Sequence, residues 1–394
     1  MAQRQLKTLS HKRMMRFKTL FLTVMAALTT LVASAQTADN YTLTVCGDGS
    51  SLQEATDNAL RNAVGQAYGV YVSSDTTILN DNIVKDEIGT LSSGNILSYE
   101  VLAHTTTPQG LHMVTVKTTV SVTNLISFSK AKGSKVEFAG ALFGANMRLI
   151  ESAKKNEKIV INHFIKQVEI FLDNCGPFTT PKILESTPKK QYYGDFYDID
   201  IKYCLIQTAA PAELFTMVYN FLSSIALTDA EDDMYRQVGE KRYRVGCSMG
   251  WSYSKDYKIG SGYNGEKHYF SLRTPQFTKL CSLLNSITDL YTIVAKDSEG
   301  KVVATQKQRK SNSSNVKAEC TNRDPEWISF PYWWRKTDDG KLISTKLYHK
   351  DTKNGVPISF SPSRGDGYSG MTMEQVSRIA SIEMEHRLVY QKTK

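Results

Sequence analysis

An aromatic cluster in the C-terminal third of the chain is the strongest candidate for a binding site. Trp327, Tyr332, Trp333 and Trp334 lie close together, and Arg335 follows them directly. Indole and phenol rings stack on sugar rings, and they also dominate the binding energy of many protein interfaces. The same pattern is typical of a strand whose Trp side chains fill a core. We predict a ligand or partner site at these five residues, with a buried strand as the alternative.

Two groups of acidic residues raise the question of hydrolysis. The first group is Asp195, Asp198 and Asp200, and the second spans residues 231–233. Glycoside hydrolysis needs two carboxylates about 5–10 Å apart across a cleft. Alternation with isoleucines instead predicts that Asp198 and Asp200 lie on the solvent side of a strand. We predict no catalytic residue, and a hydrolase with an unrecognised carboxylate pair is the second alternative function.

Neither the glycine motifs nor the cysteines predict a cofactor or a metal ion. The pattern G-x-G-x-x-G begins at Gly260 and again at Gly365, but neither copy sits in a strand–helix–strand unit, so turn glycines are favoured. No two cysteines form C-x-x-C, and the histidines are scattered. Disulfides and buried free thiols both remain open for the six cysteines, which are Cys46, Cys175, Cys204, Cys247, Cys281 and Cys320.

The first 35 residues have the features of a cleavable secretion signal. Six basic residues and no acidic one precede the apolar run 20–31, and Ala-Ser-Ala at 33–35 fits a cleavage site before Gln36. An uncleaved N-terminal anchor is the alternative. Removal of the six basic residues lowers Lys+Arg from 48 to 42 against 39 Asp+Glu, so the net charge falls from +9 to +3. We therefore expect an exported, periplasmic or extracellular protein with no membrane span after cleavage and no affinity for nucleic acid.

The segment that follows the signal predicts a compact β-α-α-β-β unit. Ser51 and Glu54 predict a capping box, and alanines recur every four residues from Ala55 to Ala67, which predicts a helix packed closely on a sheet. Asn58 and Asn62 are expected to point away from that contact. A second helix is predicted over residues 83–94, and two alternating strands follow up to residue 122. The helices are expected on one face of an antiparallel sheet.

These residues also resemble a known family. The runs Gly-Asp-Gly at 47–49, Asn-Ala-Leu-Arg-Asn-Ala-Val at 58–64 and Gly-Val-Tyr-Val-Ser-Ser at 69–74 look like the N-terminal domain of the flagellar assembly protein T family and of related small exported lipoproteins. The resemblance covers residues 45–125. It implies an exported assembly and interaction element of cell-envelope machinery, and it implies no catalytic residues.

The complete prediction is an α/β (α+β) protein in four parts. A signal peptide (1–35) precedes the N-terminal domain (36–129), a linker (130–136) and a larger mixed α+β domain (137–394). The predicted function is noncatalytic, in assembly or protein–protein interaction at the cell envelope, with an envelope protein or a glycan as the partner. A carbohydrate- or peptidoglycan-binding protein that uses the region 327–334 is the first alternative. The sequence predicts neither the partner nor the oligomeric state.

Overall fold

In the computed structural model the protein has a mixed α+β fold, which confirms the predicted class. The structure describes residues 40–71, 94–131, 142–249, 267–307, 317–319, 326–330, 335–336, 342–343, 356–365 and 367–393. The helices in these ranges are α1 (Leu52–Tyr71), α2 (Val122–Ala131), α3 (Leu142–Asn174), α4 (Ala210–Ile225), α5 (Asp229–Gln237), α6 (Phe277–Ser286) and α7 (Met373–Arg378). The strands are β1 (Asn40–Gly49), β2 (Ile96–Thr106), β3 (His112–Ser121), β4 (Thr179–Lys190), β5 (Tyr197–Gln207), β6 (Tyr243–Met249), β7 (Lys267–Leu272), β8 (Thr288–Lys296), β9 (Val302–Lys307), β10 (Lys317–Glu319), β11 (Glu326–Phe330), β12 (Arg335–Lys336), β13 (Leu342–Ile343), β14 (Val356–Phe360) and β15 (Ser381–Val389).

The strands in the described part of the chain form five sheets. Three antiparallel sheets have the orders β1-β3-β2, β14-β5-β4 and β15-β8-β9. A fourth sheet has the order β10-β11-β6-β7, in which β11 and β6 run parallel, and β12 pairs with β13. Strands β8 and β9 form a hairpin, and Thr372 and Gln375 form a capping box at the N-terminus of α7.

Helix α1 lies against the first sheet as its alanine spacing predicts. Ala55, Ala59, Ala63 and Ala67 are fully buried, and they pack with the valines of β1 and β3. The backbone of α1 approaches so closely that a Cβ placed on Gly47 would lie 2.3 Å from the carbonyl oxygen of Ala55. Small residues on both elements therefore set the distance between helix and strand.

The N-terminus of α1 differs in detail from the predicted capping box. The amide of Glu54 donates to Ser51 Oγ (3.1 Å), as expected for an N-cap serine. The carboxylate of Glu54, however, accepts from the amide of Ser50 (2.8 Å) rather than from that of Ser51. The predicted second helix over 83–94 falls almost entirely outside the described residues.

Asparagine side chains close the outer edge of β1, which corrects the expectation that they point away from it. Asn58 Nδ2 donates to the carbonyl of Asp48 (2.8 Å), and Asn62 Nδ2 donates to that of Cys46 (2.9 Å). Asn156 on α3 donates in the same way to Thr44 (2.8 Å). Three alternate carbonyls of this edge strand are therefore satisfied within the chain, which blocks the addition of another strand there.

The second face of this sheet is also covered. Thr115, on the face opposite α1, is fully buried, and its hydroxyl donates to Gln167 Oε1 on α3 (2.7 Å). Gln167 Nε2 in turn donates to the carbonyls of Met113 (3.0 Å) and Ala103 (3.3 Å). The buried amide is thus fully paired, and it ties α3 to both β2 and β3. The sheet lies between α1 on one face and α3 with α4 on the other.

The sheets β14-β5-β4 and β15-β8-β9 share a separate core. Ile199 and Ile201 of β5 pack with Ile293 of β8, Phe360 of β14 and Met371, all of which are buried. Strand β5 pairs with β4 on one side and with β14 on the other. The loop between β4 and β5 therefore lies near the segment that follows β14.

The region of the predicted linker is described only in part. Residues 130 and 131 end α2, and residues 132–141 lie outside the described ranges. None of the described helices is both long enough and apolar enough to span a membrane.

Candidate functional site

The strongest candidate site is a pair of loops at one end of the β14-β5-β4 sheet. The first loop (191–196) joins β4 to β5, and the second (361–371, described except for residue 366) joins β14 to α7. We call the pair the tyrosine loops, since Tyr192, Tyr193 and Tyr368 project from them.

These three tyrosines are unusually exposed. Tyr192 is 91% accessible, Tyr193 is 83% and Tyr368 is 72%. Large aromatic side chains normally bury most of their surface, so three exposed rings in one loop pair indicate a binding surface. The remaining residues of the loops are mainly Gly, Ser and Asp with one Arg, a composition typical of loops that bind proteins.

Backbone hydrogen bonds hold the two loops together. Tyr197 and Met371 exchange amide–carbonyl bonds of 2.8 Å in both directions. Gln191 Nε2 crosses from the first loop to the second, where it donates to the carbonyl of Ser369 (3.2 Å), and it also donates to Asp198 Oδ1 (2.7 Å). A Cβ on Gly370 would lie 2.6 Å from this same amide nitrogen, so the contact requires glycine at position 370.

An arginine packs inside the loop pair. The guanidinium of Arg364 lies 3.6 Å from the centroid of the Phe196 ring and 5.9 Å from that of Tyr368. This cation–π contact joins the second loop to the first. The three exposed tyrosines therefore extend from a loop pair with a defined conformation, which lowers the entropy cost of binding.

The second glycine motif belongs to these loops and is confirmed as a turn. Gly365, Gly367 and Gly370 have φ values of 84°, 86° and 116°, in the left-handed region that favours glycine. The strand that follows α7 is β15, which pairs antiparallel with β8, so no dinucleotide-binding unit is formed. The motif that begins at Gly260 lies outside the described residues.

The predicted aromatic site lies largely outside the described residues. Trp327 is in β11, where its backbone is opposite Gly246 of β6, and Arg335 is in β12. Tyr332, Trp333 and Trp334 are not among the described residues. The binding role of this cluster therefore stays a prediction.

The acidic residues considered for hydrolysis have basic or amide partners. Asp195 pairs with Lys190 (2.9 Å), and Asp200 lies 3.7 Å from Lys189. Ile199 and Ile201, which alternate with the aspartates, are buried as predicted. In the second group, Asp232 accepts from Arg236 (2.6 Å) and Arg242 (2.7 Å), and Asp233 lies 3.7 Å from Arg236. These contacts account for the acids as partners of neighbouring basic side chains.

Sequence reasoning missed a buried polar cluster around Glu157 of α3. Its carboxylate accepts from the amides of Arg273 (3.0 Å) and Thr274 (2.7 Å) and from the Thr274 hydroxyl (2.7 Å). Arg273 also donates to Glu231 (2.6 Å) and to the carbonyl of Ile225 (2.6 Å). Burial raises the pKa of Glu157, against the effect of these donors. The cluster joins α3, α4 and α5 to the turn before α6, which is a stabilising role.

A second polar contact joins α3 to the end of β1. His163 Nε2 and Asp48 Oδ1 are 2.8 Å apart, and burial lowers the pKa of His163 although Asp48 acts in the opposite direction. Burial and the nearby Asp48 raise the pKa of Cys46 to about 12. A thiol with such a pKa is protonated at neutral pH, so Cys46 is not an activated nucleophile. Cys46, Cys175, Cys204 and Cys247 are free thiols.

No group of three or more His, Cys, Asp and Glu side chains suited to a metal ion occurs within the described ranges. The sequence matches no protein-family model, no curated protein and no solved structure.

Proposed function

We propose that the protein is a noncatalytic, exported component of the cell envelope that binds a partner protein through the tyrosine loops. The observation that carries the proposal is the exposure of Tyr192, Tyr193 and Tyr368 on loops whose backbone is held by hydrogen bonds. Tyrosine is among the residues that contribute most to binding energy at interfaces. A preorganised loop pair loses little conformational entropy on association.

Two features of the sequence support the location and the class of function. The basic and apolar N-terminal residues with a small-residue cleavage pattern support export. The resemblance of residues 45–125 to the flagellar assembly protein T family supports a role in assembly rather than in catalysis. Sequencing of the protein recovered from the cells that produce it tests export, and the proposal expects an N-terminus at Gln36.

Binding is tested by removal of the aromatic rings. A chain with Tyr192→Ser, Tyr193→Ser and Tyr368→Ser is compared with the wild type for recovery of a crosslinked partner from intact cells. We expect the partner to be lost from the triple variant. The matched control is Tyr99→Ser, which removes a ring that is 52% exposed on β2, far from the loops in sequence. Equal recovery by the triple variant and the wild type would refute the proposal.

The carbohydrate-binding alternative is tested with the wild type, the tyrosine variants and two tryptophan variants. Saturable binding to peptidoglycan fragments that is lost in Trp333→Ala and Trp334→Ala, with the tyrosine variants unaffected, would replace the proposal by that alternative. Absence of glycan binding by the wild type would remove it.

A further inference from the structure

Two histidines meet at the turn between β2 and β3. His104 lies opposite Val114, and His112 lies opposite Thr106, so the two histidines occupy diagonal positions on the same face of the sheet. His104 Nε2 and His112 Nδ1 are 2.9 Å apart. The turn between the strands is tight, since Thr107 and Leu111 are joined by a backbone hydrogen bond of 2.9 Å. The positions of the two Cα atoms are therefore set by the hairpin.

The two rings meet edge to edge rather than face to face. Their planes are within 2° of each other, and their centroids are 5.1 Å apart, whereas the two nitrogens are much closer. One nitrogen donates a hydrogen bond to the other, so at least one of the rings carries an unprotonated nitrogen that points to its neighbour. His104 is exposed and His112 is half-buried, so the pair is open to small solutes.

The separation of the nitrogens matches that of two neighbouring ligands on a metal ion. Imidazole nitrogens bind transition metals at about 2.0–2.1 Å, and two such ligands at a right angle lie about 2.9 Å apart. Because the two nitrogens face each other, both rings must turn before their lone pairs meet at a common point beside the sheet, and the broad terminal torsion of histidine allows this rotation.

We propose that His104 and His112 together chelate a divalent transition-metal ion. The right-angle separation and the imidazole ligands favour Cu²⁺, which also binds more tightly than Zn²⁺ in the usual order of affinities. Two protein ligands leave the other coordination positions to water. The bound ion therefore exchanges with solvent and has no structural role.

Titration of the purified protein with Cu²⁺ and with Zn²⁺ in a non-chelating buffer tests the site. We expect one equivalent of Cu²⁺ to bind more tightly than Zn²⁺, with a Cu²⁺ electron paramagnetic resonance spectrum that shows two nitrogen ligands. His104→Ala and His112→Ala should each weaken Cu²⁺ binding by at least about tenfold, since even the loss of an outer-shell partner costs 10–100-fold. Thr106→Ala, an exposed position on the same hairpin, is the control and should leave the affinity unchanged.

A measurement on the wild type alone removes any dependence on the folding of the variants. Bound Cu²⁺ should protect His104 and His112 from modification by diethyl pyrocarbonate, as read by peptide mass spectrometry. The proposal is overturned if Cu²⁺ does not bind saturably, if both alanine variants bind it like the wild type, or if the ion protects other histidines and not these two.

Discussion

The contact between β1 and α1 predicts that adding one methyl group at Gly47 destabilises the protein. In Gly47→Ala the new Cβ would lie 2.3 Å from the Ala55 carbonyl oxygen and 2.5 Å from the Ala59 amide nitrogen. Both atoms belong to the helix backbone, so no side-chain rotation relieves the overlap, and helix and strand must move apart. Overpacking typically costs 1–3 kcal/mol, and we expect the upper end, about 3 kcal/mol.

The assay is thermal and urea-induced unfolding of the wild type and variants at the same concentration. A loss of about 3 kcal/mol lowers Tm by about 6–12 °C for a unit of 150–250 residues. Gly65→Ala is the matched control. Gly65 lies within α1, and a Cβ there has no neighbour within 4 Å. Alanine is favoured over glycine in a helix by about 0.5–1 kcal/mol, so this variant should gain stability.

The opposite signs of these two changes are the critical result. An unchanged Tm for Gly47→Ala would mean that the close approach of α1 to β1 is wrong. A loss of stability in Gly65→Ala similar to that in Gly47→Ala would mean that position 65 is also packed, and that the buried side of the helix is misassigned.

The remaining predictions concern polar contacts and thiols. Asn62→Ala should lower the free energy of unfolding by about 0.5–1.5 kcal/mol in urea, because the Cys46 carbonyl loses its donor, and an unchanged urea midpoint would contradict that contact. Glu157→Ala should cost about 3–5 kcal/mol, because it leaves the backbone amides of Arg273 and Thr274 and the Thr274 hydroxyl without their buried acceptor, and a loss below about 1 kcal/mol would refute the role of the cluster. Cys247 is buried and should be alkylated by iodoacetamide only after denaturation, as read by peptide mass spectrometry, and rapid labelling in the native protein would be inconsistent with its place in the core.

Local periodicity was sufficient to predict most of the individual elements. The four alanines of α1 mark its buried side because a helix repeats every 3.6 residues, and contact with any sheet produces that spacing. The alternation around Ile199 and Ile201 likewise predicted a strand with one buried face. In these cases the signal lies within a short stretch of chain and needs no knowledge of the partner element.

Contacts between distant parts of the chain were not predictable in this way. The amide of Gln167 is buried against Thr115, yet nothing near either residue indicates the other. The alternation of residues along β3 alone would place Thr115 on a solvated face of the sheet. The hydrogen bonds of the Asn58 and Asn62 amides were not predictable for the same reason. Only the position of β1 beside α1 shows that these amides donate to carbonyls of β1.

The tyrosine loops, too, could be predicted only in part from short stretches of sequence. The neighbouring pair Tyr192 and Tyr193, followed by a glycine, could have indicated exposed rings in a turn. The contribution of Tyr368 depends on the pairing of β5 with both β4 and β14, which brings together segments far apart in sequence. The aromatic cluster at 327–334 stood out by composition alone, and composition does not distinguish a core from a surface.

The proposed function is tested most directly by site-specific photocrosslinking in the cells that produce the protein. A photoreactive phenylalanine analogue is placed at position 193 of the tyrosine loops in one strain and at position 99 of β2 in another. The account predicts one discrete crosslinked partner protein from position 193, absent from position 99, and lost when Tyr192→Ser and Tyr368→Ser are added. The same crosslinked species from both positions, or none from position 193, would contradict the assignment of the tyrosine loops as the contact surface.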